Sequence, residues 1–315
     1  MKLLMTFKYL LIFLLLFMMP VCDMVADSSA KTKEKETKKV TKEADEVAKQ
    51  KEPLEKQNEA INNYNKGLQN FKDGLKDEAI SNYSMAIELN PALSEAYYFR
   101  GYVYAVMGRD DEAIADFTKA IEQAIETKPE YMDVYARRGN VYYNKKEYDL
   151  AILDFNKALE IDPTNKETYL NRGYTYNNSK QFDLGIADFN KVLELDPTSN
   201  MAYLGLGKIY ANKRDYKTAV DNYSKAIELD PTAAKAYKFR GGAYDNQSEY
   251  DKAISDYSKA IELDPKDGGA YFSRAMVYYL QEDFKKAWDD ANKAQGLGEE
   301  IDQEVLDEFR NSAGM

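Results

Sequence analysis

One stretch of the chain decides the fold: Tyr203-Leu204-Gly205-Leu206-Gly207-Lys208-Ile209-Tyr210, followed by Tyr216-Lys217-Thr218-Ala219-Val220 and by Tyr223-Ser224-Lys225-Ala226-Ile227-Glu228-Leu229-Asp230-Pro231. In each half the apolar and small residues fall three, four or seven positions apart, which is the spacing of one face of an α-helix. Pro231 cannot continue a helix, so the chain turns there. The stretch therefore predicts two amphipathic helices joined by a short turn.

The same unit recurs along the chain. Glycines occupy its equivalent position at intervals of 34, 38, 34, 34 and 34 residues: Gly67, Gly101, Gly139, Gly173, Gly207 and Gly241. A fixed period of about 20 to 50 residues is typical of a solenoid, in which each repeat buries its apolar face against its neighbours. The additional turn near Gln123 is either a tolerated surface extension or a local docking notch. We expect any function to lie on a repeated surface.

The repeat resembles the tetratricopeptide repeat, whose period is about 34 residues and whose motif orders large aromatic, Leu-Gly, Tyr, Ala, Phe and Pro. Its first aromatic is Tyr97, Tyr135, Tyr169, Tyr203, Tyr237 and Tyr271, and its second-helix alanine is Ala79, Ala113, Ala151, Ala219, Ala253 and Ala287. The resemblance covers most of the chain. It implies an all-α, right-handed superhelical solenoid of seven helix-turn-helix repeats over residues 59–298, followed by a capping helix and tail over residues 299–315. Gly185 and Val192 replace alanines in repeat four, where we expect looser packing.

The N-terminus predicts export. Lys2 and Lys8 precede an uncharged apolar run from Tyr9 to Met19, which is typical of a secretory signal peptide, here placed over residues 1–30. A retained membrane anchor is the alternative. Cys22 follows the run directly, and this resembles a bacterial lipoprotein signal, in which the cysteine is acylated. We expect a protein of the periplasm or cell surface, with lipidation at Cys22 as an open alternative.

A charged spacer follows the signal. Residues 31–58 contain nine lysines, seven acidic residues and no aromatic residue. Such a segment has too little apolar surface to offset the entropy of ordering, so it predicts a flexible spacer between a membrane and the repeats, or a leader without a task.

Composition excludes several classes of function. The chain has no histidine and one cysteine, so it offers no histidine base, no disulfide within the chain and no thiolate zinc site. Its formal net charge of −11 argues against a nucleic-acid partner. No glycine-rich phosphate loop interrupts the repeats. We therefore expect no enzymatic activity and no cofactor.

The resemblance implies a concave groove, lined by the first helix of each repeat, that holds a protein or peptide segment. The residues carried over to partner binding are Tyr64, Phe71, Tyr98, Tyr102, Asn140, Tyr143, Tyr174, Asn177, Lys208 and Lys238, with Phe272 and Tyr279 in repeat seven. Aromatic side chains on such a surface suit a binding hot spot. Of the cations that one branch of the family uses to bind a free C-terminal carboxylate, none is present, because Ala136, Met201 and Gly205 occupy their positions.

Two further ladders have more than one interpretation. The asparagines Asn144, Asn178, Asn212 and Asn246 either contact a bound peptide backbone or adopt the left-handed conformation that ends a helix. The arginines Arg100, Arg138, Arg172, Arg240 and Arg274 either pair with acids between repeats or form an anion site.

The function that best fits these observations is an exported, non-enzymatic scaffold or adaptor for protein–protein interaction. Two alternatives are a structural spacer lipoprotein and an accessory protein that binds cell-wall glycan.

Overall fold

The computed structural model describes residues 28–124 and 133–315, and these residues form helices and turns without a strand. The chain divides into two compact parts, Met1–Asn62 and Asn63–Met315. The apolar run of the predicted signal peptide and Cys22 lie outside the described residues. So does most of the stretch after Gln123 where the repeat period lengthens. The predictions made for these segments stay predictions.

Helix α1 spans Ser28–Lys72 and carries Pro53 in its interior. It passes through residues 31–58, for which the sequence predicted a flexible spacer. The segment is rich in lysine and glutamate, which both have high helix propensity. Because its apolar content is low, this part of the helix has no apolar face that could pack against another element. A low apolar content does not prevent helix formation, so helix formation and packing have to be predicted separately.

The second part of the chain consists of helix pairs. In each repeat we name the first helix A and the second helix B, and the last residues of α1 serve as helix A of repeat one. The helices that follow are α2 (Lys76–Leu89), α3 (Ser94–Val106), α4 (Asp110–Ala124), α5 (Val134–Asn144), α6 (Tyr148–Ile161), α7 (Lys166–Asn178), α8 (Phe182–Leu195), α9 (Asn200–Asn212), α10 (Tyr216–Leu229), α11 (Ala234–Asn246), α12 (Tyr250–Leu263), α13 (Gly268–Leu280), α14 (Phe284–Gly296) and α15 (Gln303–Ser312). From α3 onward, odd numbers up to α13 are helices A, and even numbers from α2 to α14 are helices B. The predicted all-α solenoid of paired helices is confirmed.

Helix B of each repeat supplies the centre of the core. Its alanine is fully buried in six repeats, at Ala79, Ala113, Ala151, Ala219, Ala253 and Ala287. Its aromatic is buried at Tyr83, Phe117, Phe155, Phe189, Tyr223 and Tyr257. Helix A must approach these rings closely: a Cβ on Gly207 would lie 2.4 Å from Cε1 of Tyr223. The repeated glycine is therefore a packing requirement, as its spacing predicted.

The turn between helix A and helix B uses a residue with positive φ. Gly74 and Gly108 fill this position in the first two repeats, and five non-glycine residues fill it in the others: Lys146, Lys180, Arg214, Ser248 and Glu282. In repeat four the Lys180 amide donates to the Asn177 carbonyl at 3.1 Å. The asparagines of the ladder end helix A two residues earlier and are helical, so the left-handed interpretation is wrong for them.

An arginine–aspartate pair ties helix A to helix B in five repeats. In repeat four, Arg172 makes two hydrogen bonds to the Asp188 carboxylate, at 2.8 and 2.7 Å, and a third to Asn156 Oδ1 at 2.6 Å. The equivalent pairs are Arg100–Asp116, Arg138–Asp154, Arg240–Asp256 and Arg274–Asp290. We expected the acid in a neighbouring repeat. It lies in the same repeat, and only the third hydrogen bond reaches back to the preceding helix B.

Helix α15 covers the exposed end of repeat seven. Its Leu306 and Phe309 are buried in one cluster with Ala275, Ala287 and Ala291. This arrangement confirms the predicted capping helix.

Candidate partner-binding groove

The side chain of Tyr98, on α3, makes its contacts within the chain. It is only 6 % exposed, and its hydroxyl donates to Asp133 at 2.8 Å and accepts from Arg137 Nε at 2.5 Å. Burial and the Asp133 carboxylate raise the pKa of this phenol. The guanidinium of Arg137 also lies 4.6 Å from the centroid of the Tyr102 ring. Residues that start repeat three therefore cover the aromatic face predicted for repeat two.

The other N-terminal aromatics are half-buried between repeats one and two. The Tyr64 ring centroid lies 5.8 Å from that of Phe99, and Phe71 meets Tyr102 edge to face at 5.5 Å. These contacts leave part of each ring accessible, so Tyr64, Phe71 and Tyr102 keep their predicted place on helix A while contributing to packing.

The middle of the predicted site is divided between surface and interior. Asn140 and Tyr143, on α5, are half-buried, and the Tyr143 hydroxyl accepts from Asn178 at 2.9 Å. Asn177 is 5 % exposed and accepts from Asn212 Nδ2 at 2.8 Å. The Tyr174 hydroxyl donates to the Met201 carbonyl at 3.0 Å. The asparagine ladder thus joins helices A of successive repeats at two of its positions.

The two predicted lysines lie on the walls of one cavity. This cavity has a volume of about 520 Å³ and crosses repeats five to seven. Its lining includes aromatic, amide and hydroxyl side chains together with both ammonium groups: Lys208, Asn212, Tyr223, Lys238, Phe239, Gly242, Asn246, Tyr257, Gly269, Phe272, Ser273 and Glu299. Of the residues predicted to bind a partner, the structure brings together Lys208, Lys238 and Phe272 here.

A missing side chain opens the cavity. Gly242 stands at the helix A position that holds Tyr102, Tyr174 and Lys208 in other repeats. A Cβ at Gly242 would meet only the Tyr257 hydroxyl, at 3.5 Å. The space that a large residue fills elsewhere on helix A is therefore open in repeat six.

Lys208 and Lys238 differ in their electrostatic surroundings. The Lys238 ammonium pairs with Asp267 at 2.6 Å. The Lys208 ammonium lies 5.6 Å from the Tyr174 ring centroid and 5.1 Å from that of Phe239, and no carboxylate of the described residues pairs with it. Burial lowers the pKa of Lys208, and nearby Lys235 contributes in the same direction.

Two tyrosines of the cavity floor were missed in the sequence. Tyr223 is 2 % exposed, lines the cavity and has no hydrogen-bond partner for its hydroxyl among the described residues. Burial raises the pKa of Tyr223 and brings that of Tyr174 to about 12. Tyr257 is the second floor tyrosine. The sequence did contain a signal for both residues. Repeats two to four have phenylalanine at this core position, so packing alone does not require the tyrosine hydroxyl.

The described residues offer no sign of metal binding or of a membrane crossing. Within residues 28–124 and 133–315, no three histidine, cysteine, aspartate or glutamate side chains group in a way that could hold a metal ion. Over the same described stretches, every helix is too short or too polar to span a bilayer.

Several solved structures share this fold at low sequence identity. Comparison with curated protein sequences gave no match. A crystal structure of a tetratricopeptide repeat protein from Parabacteroides merdae is 20 % identical, covers 82 % of this chain and 100 % of its own, and superposes with a TM-score of 0.67. The C-terminal part of a TPR repeat-containing protein from Cytophaga hutchinsonii is 22 % identical, with 78 % and 98 % covered and a TM-score of 0.58. These two show the fold alone.

A third structure is more similar in sequence. YrrB, described as a TPR protein with an unusual peptide-binding site, is 26 % identical, covers 61 % of this chain and 94 % of its own, and gives a TM-score of 0.51.

Family models match the repeats directly. Tetratricopeptide-repeat models match residues 94–126, 133–165, 167–199, 201–233 and 234–267, which together make up more than half of the chain. The matched segments coincide with repeats two to six of the structure. The chain therefore belongs to the tetratricopeptide-repeat family.

Proposed function

We propose that the chain is a non-enzymatic scaffold or adaptor that binds a segment of a partner protein in the groove of repeats five to seven. The observation that carries the proposal is the cavity of about 520 Å³, which crosses the helices A of three successive repeats. Its size is in the range of ligand sites, roughly 300 to 1,000 Å³. The similarity to YrrB, whose description names a peptide-binding site, supports a peptide as the occupant.

The lining of the groove suits a polypeptide segment. Asn212, Asn246 and Ser273 offer donors and acceptors for a peptide backbone, while Phe239 and Phe272 offer apolar surface for its side chains. Aromatic anchors surrounded by polar groups are typical of protein recognition sites. This combination favours the scaffold over a spacer, which would need no such groove.

Site-specific photocrosslinking tests the proposal. A photoreactive benzoylphenylalanine replaces Phe272, which is half-buried on the groove wall, and in a control protein it replaces Leu153, which is 60 % exposed on α6. In native extract we expect protein adducts from position 272 and none of the same mass from position 153. Glycan adducts, or no adducts from position 272, would contradict the proposal.

A cavity-filling variant tests whether the partner occupies the cavity itself. Gly242→Tyr introduces the residue that repeats two and four carry at the equivalent position, and it also raises helix propensity. We expect this variant to remain folded by circular dichroism and to lose the adduct formed from position 272. An unchanged adduct would place the partner outside the cavity.

We propose further that the chain is exported and anchored to the cell envelope by a lipid on Cys22. The apolar run before Cys22 supports this placement. Labelling cells with a fatty-acid analogue tests it: the wild-type chain takes up label in the membrane fraction, and Cys22→Ala takes up none. Equal labelling of both chains, or of neither, would contradict the lipid anchor.

A further inference from the structure

We propose that the groove of repeats five to seven recognises an internal acidic residue, Asp or Glu, of an extended partner segment, and that Lys208 and the Tyr223 hydroxyl bind its carboxylate. The inference rests on the proposed scaffold function and specifies the chemistry of the partner. It is carried by two polar groups that face the same cavity and have neither a carboxylate nor a hydrogen-bond partner in the described part of the chain.

The first group is the Lys208 ammonium. Two lysines of the neighbouring helices B have a carboxylate partner: Lys225 pairs with Glu228 at 2.7 Å and Lys259 with Glu262 at 2.6 Å. Lys208 has two aromatic rings near its charge and no anion, although it is half-buried. A partly desolvated charge without a counter-ion is unfavourable, so an incoming carboxylate relieves a cost that is already present in the free protein.

The second group is the hydroxyl of Tyr223. Packing does not require this hydroxyl, because Phe117, Phe155 and Phe189 fill the equivalent core position in repeats two to four with no exposure. The Tyr223 hydroxyl opens to the cavity and makes no hydrogen bond within the described residues, so it is available to a ligand. At the cavity wall it is a donor directed at whatever occupies the space, and together with the ammonium it offers two donors to one carboxylate.

The opposite end of the cavity has the opposite charge balance. Lys238 is neutralised by Asp267, and Glu299 adds an acid there. Helices A pack roughly 8 to 10 Å apart, so the groove spans about 16 to 20 Å, or about five to six residues of extended chain. The partner segment therefore carries its acid at the Lys208 end and a neutral or basic residue at the Glu299 end.

Peptide pools test this inference. Two pools of N-acetylated, C-amidated nonapeptides have Glu or Gln fixed at the centre and neutral residues elsewhere. Both pools pass over the immobilised 315-residue chain, and mass spectrometry measures retention. We expect about tenfold stronger retention of the Glu pool, the order of a hydrogen bond to a charged group. Because both peptide ends are blocked, a preference for Glu reports a side-chain carboxylate.

Three variants assign the effect. Lys208→Met keeps the aliphatic stem between the rings and removes the charge, and Tyr223→Phe keeps the ring; we expect both to reduce the Glu preference. Lys225→Met, on the exposed face of α10, is the matched control and keeps the preference. A Glu preference that survives Lys208→Met overturns the assignment. Equal retention of both pools overturns the inference and leaves the scaffold function standing, whereas retention of neither pool overturns both.

Discussion

The hydroxyl of Tyr83 is buried without a hydrogen-bond partner within the described residues, whereas that of Tyr98 has two partners. Tyr98 also has additional contacts within the chain. Both rings belong to the core of the first repeats. The hydroxyl group therefore lowers the stability of the fold at Tyr83 and raises it at Tyr98.

Substitution by phenylalanine should change stability in opposite directions at these two positions. Tyr83→Phe removes an unsatisfied polar group and should raise the free energy of unfolding by about 1 kcal/mol or more. Tyr98→Phe removes the contacts to Asp133 and Arg137 and should lower it by about 1 kcal/mol. Urea unfolding of both variants measures the difference, and a change of the same sign in both would contradict the hydrogen-bond assignment.

The buried pair Arg172–Asp188 is expected to behave as a unit. Arg172→Leu leaves an uncompensated buried carboxylate and should cost about 3 kcal/mol or more. Repeat five shows the alternative, because Leu206 and Asn222 occupy the equivalent positions there. The double variant Arg172→Leu with Asp188→Asn copies that pair and should recover most of the loss in thermal or urea unfolding. A double variant no more stable than the single one would refute this account.

At the level of elements, the turn between helix A and helix B contains avoidable strain. Lys180 has φ of 62°, a conformation that glycine adopts without the steric cost of a Cβ. Gly108 shows that glycine serves at the equivalent position of repeat two, with open space around its Cα.

We therefore expect Lys180→Gly to stabilise repeat four. The gain should be a few tenths to about 1 kcal/mol, because relief of the left-handed strain is partly offset by the entropy of glycine in the unfolded chain. The reverse substitution, Gly108→Ala, should destabilise by about 1 kcal/mol. Thermal unfolding measures both, and destabilisation by Lys180→Gly would show that the lysine side chain contributes more than its backbone costs.

The contacts between neighbouring helices explain why the prediction of looser packing in repeat four is wrong. Gly185 suggested looser packing, but a Cβ there would lie 2.8 Å from Cδ1 of Ile209. Ile209 belongs to the next repeat, has no exposure and fills the space that the glycine leaves. A small residue on one helix is compensated by a large one on its neighbour, and a motif compared position by position within one repeat does not reveal that exchange.

At the level of the whole molecule, each repeat depends on its neighbours, so the last one depends on α15. Phe309 is 2 % exposed and stacks on Tyr279 at 4.7 Å between ring centroids. Phe309→Ala should cost about 3 to 5 kcal/mol. Because solenoid stability is propagated between nearest neighbours, faster amide exchange should appear in α13 and α14 and fade toward α9. A uniform increase along the chain would contradict this expectation.

The sequence predicted the repeats well and the site only in part. The spacing of the glycine, alanine and aromatic positions predicted helix pairs in a solenoid, and the resemblance to the tetratricopeptide repeat supplied the seven-repeat architecture. The groove depends on differences between repeats. Tyr98 was expected to be accessible, but Asp133 and Arg137 of the following repeat cover it. The cavity exists because Gly242 interrupts a row of large residues, and its importance appears only when three helices A are viewed together.

The most direct test of peptide binding in repeats five to seven is a hydrogen-exchange map of the 315-residue chain with and without the fixed-Glu peptide pool at saturating concentration. We expect slower exchange in α9, α11 and α13, and unchanged exchange in α3 and α5. Slowing confined to α3 and α5, around Tyr98, Tyr102 and Asn140, or no slowing at all, would contradict the account.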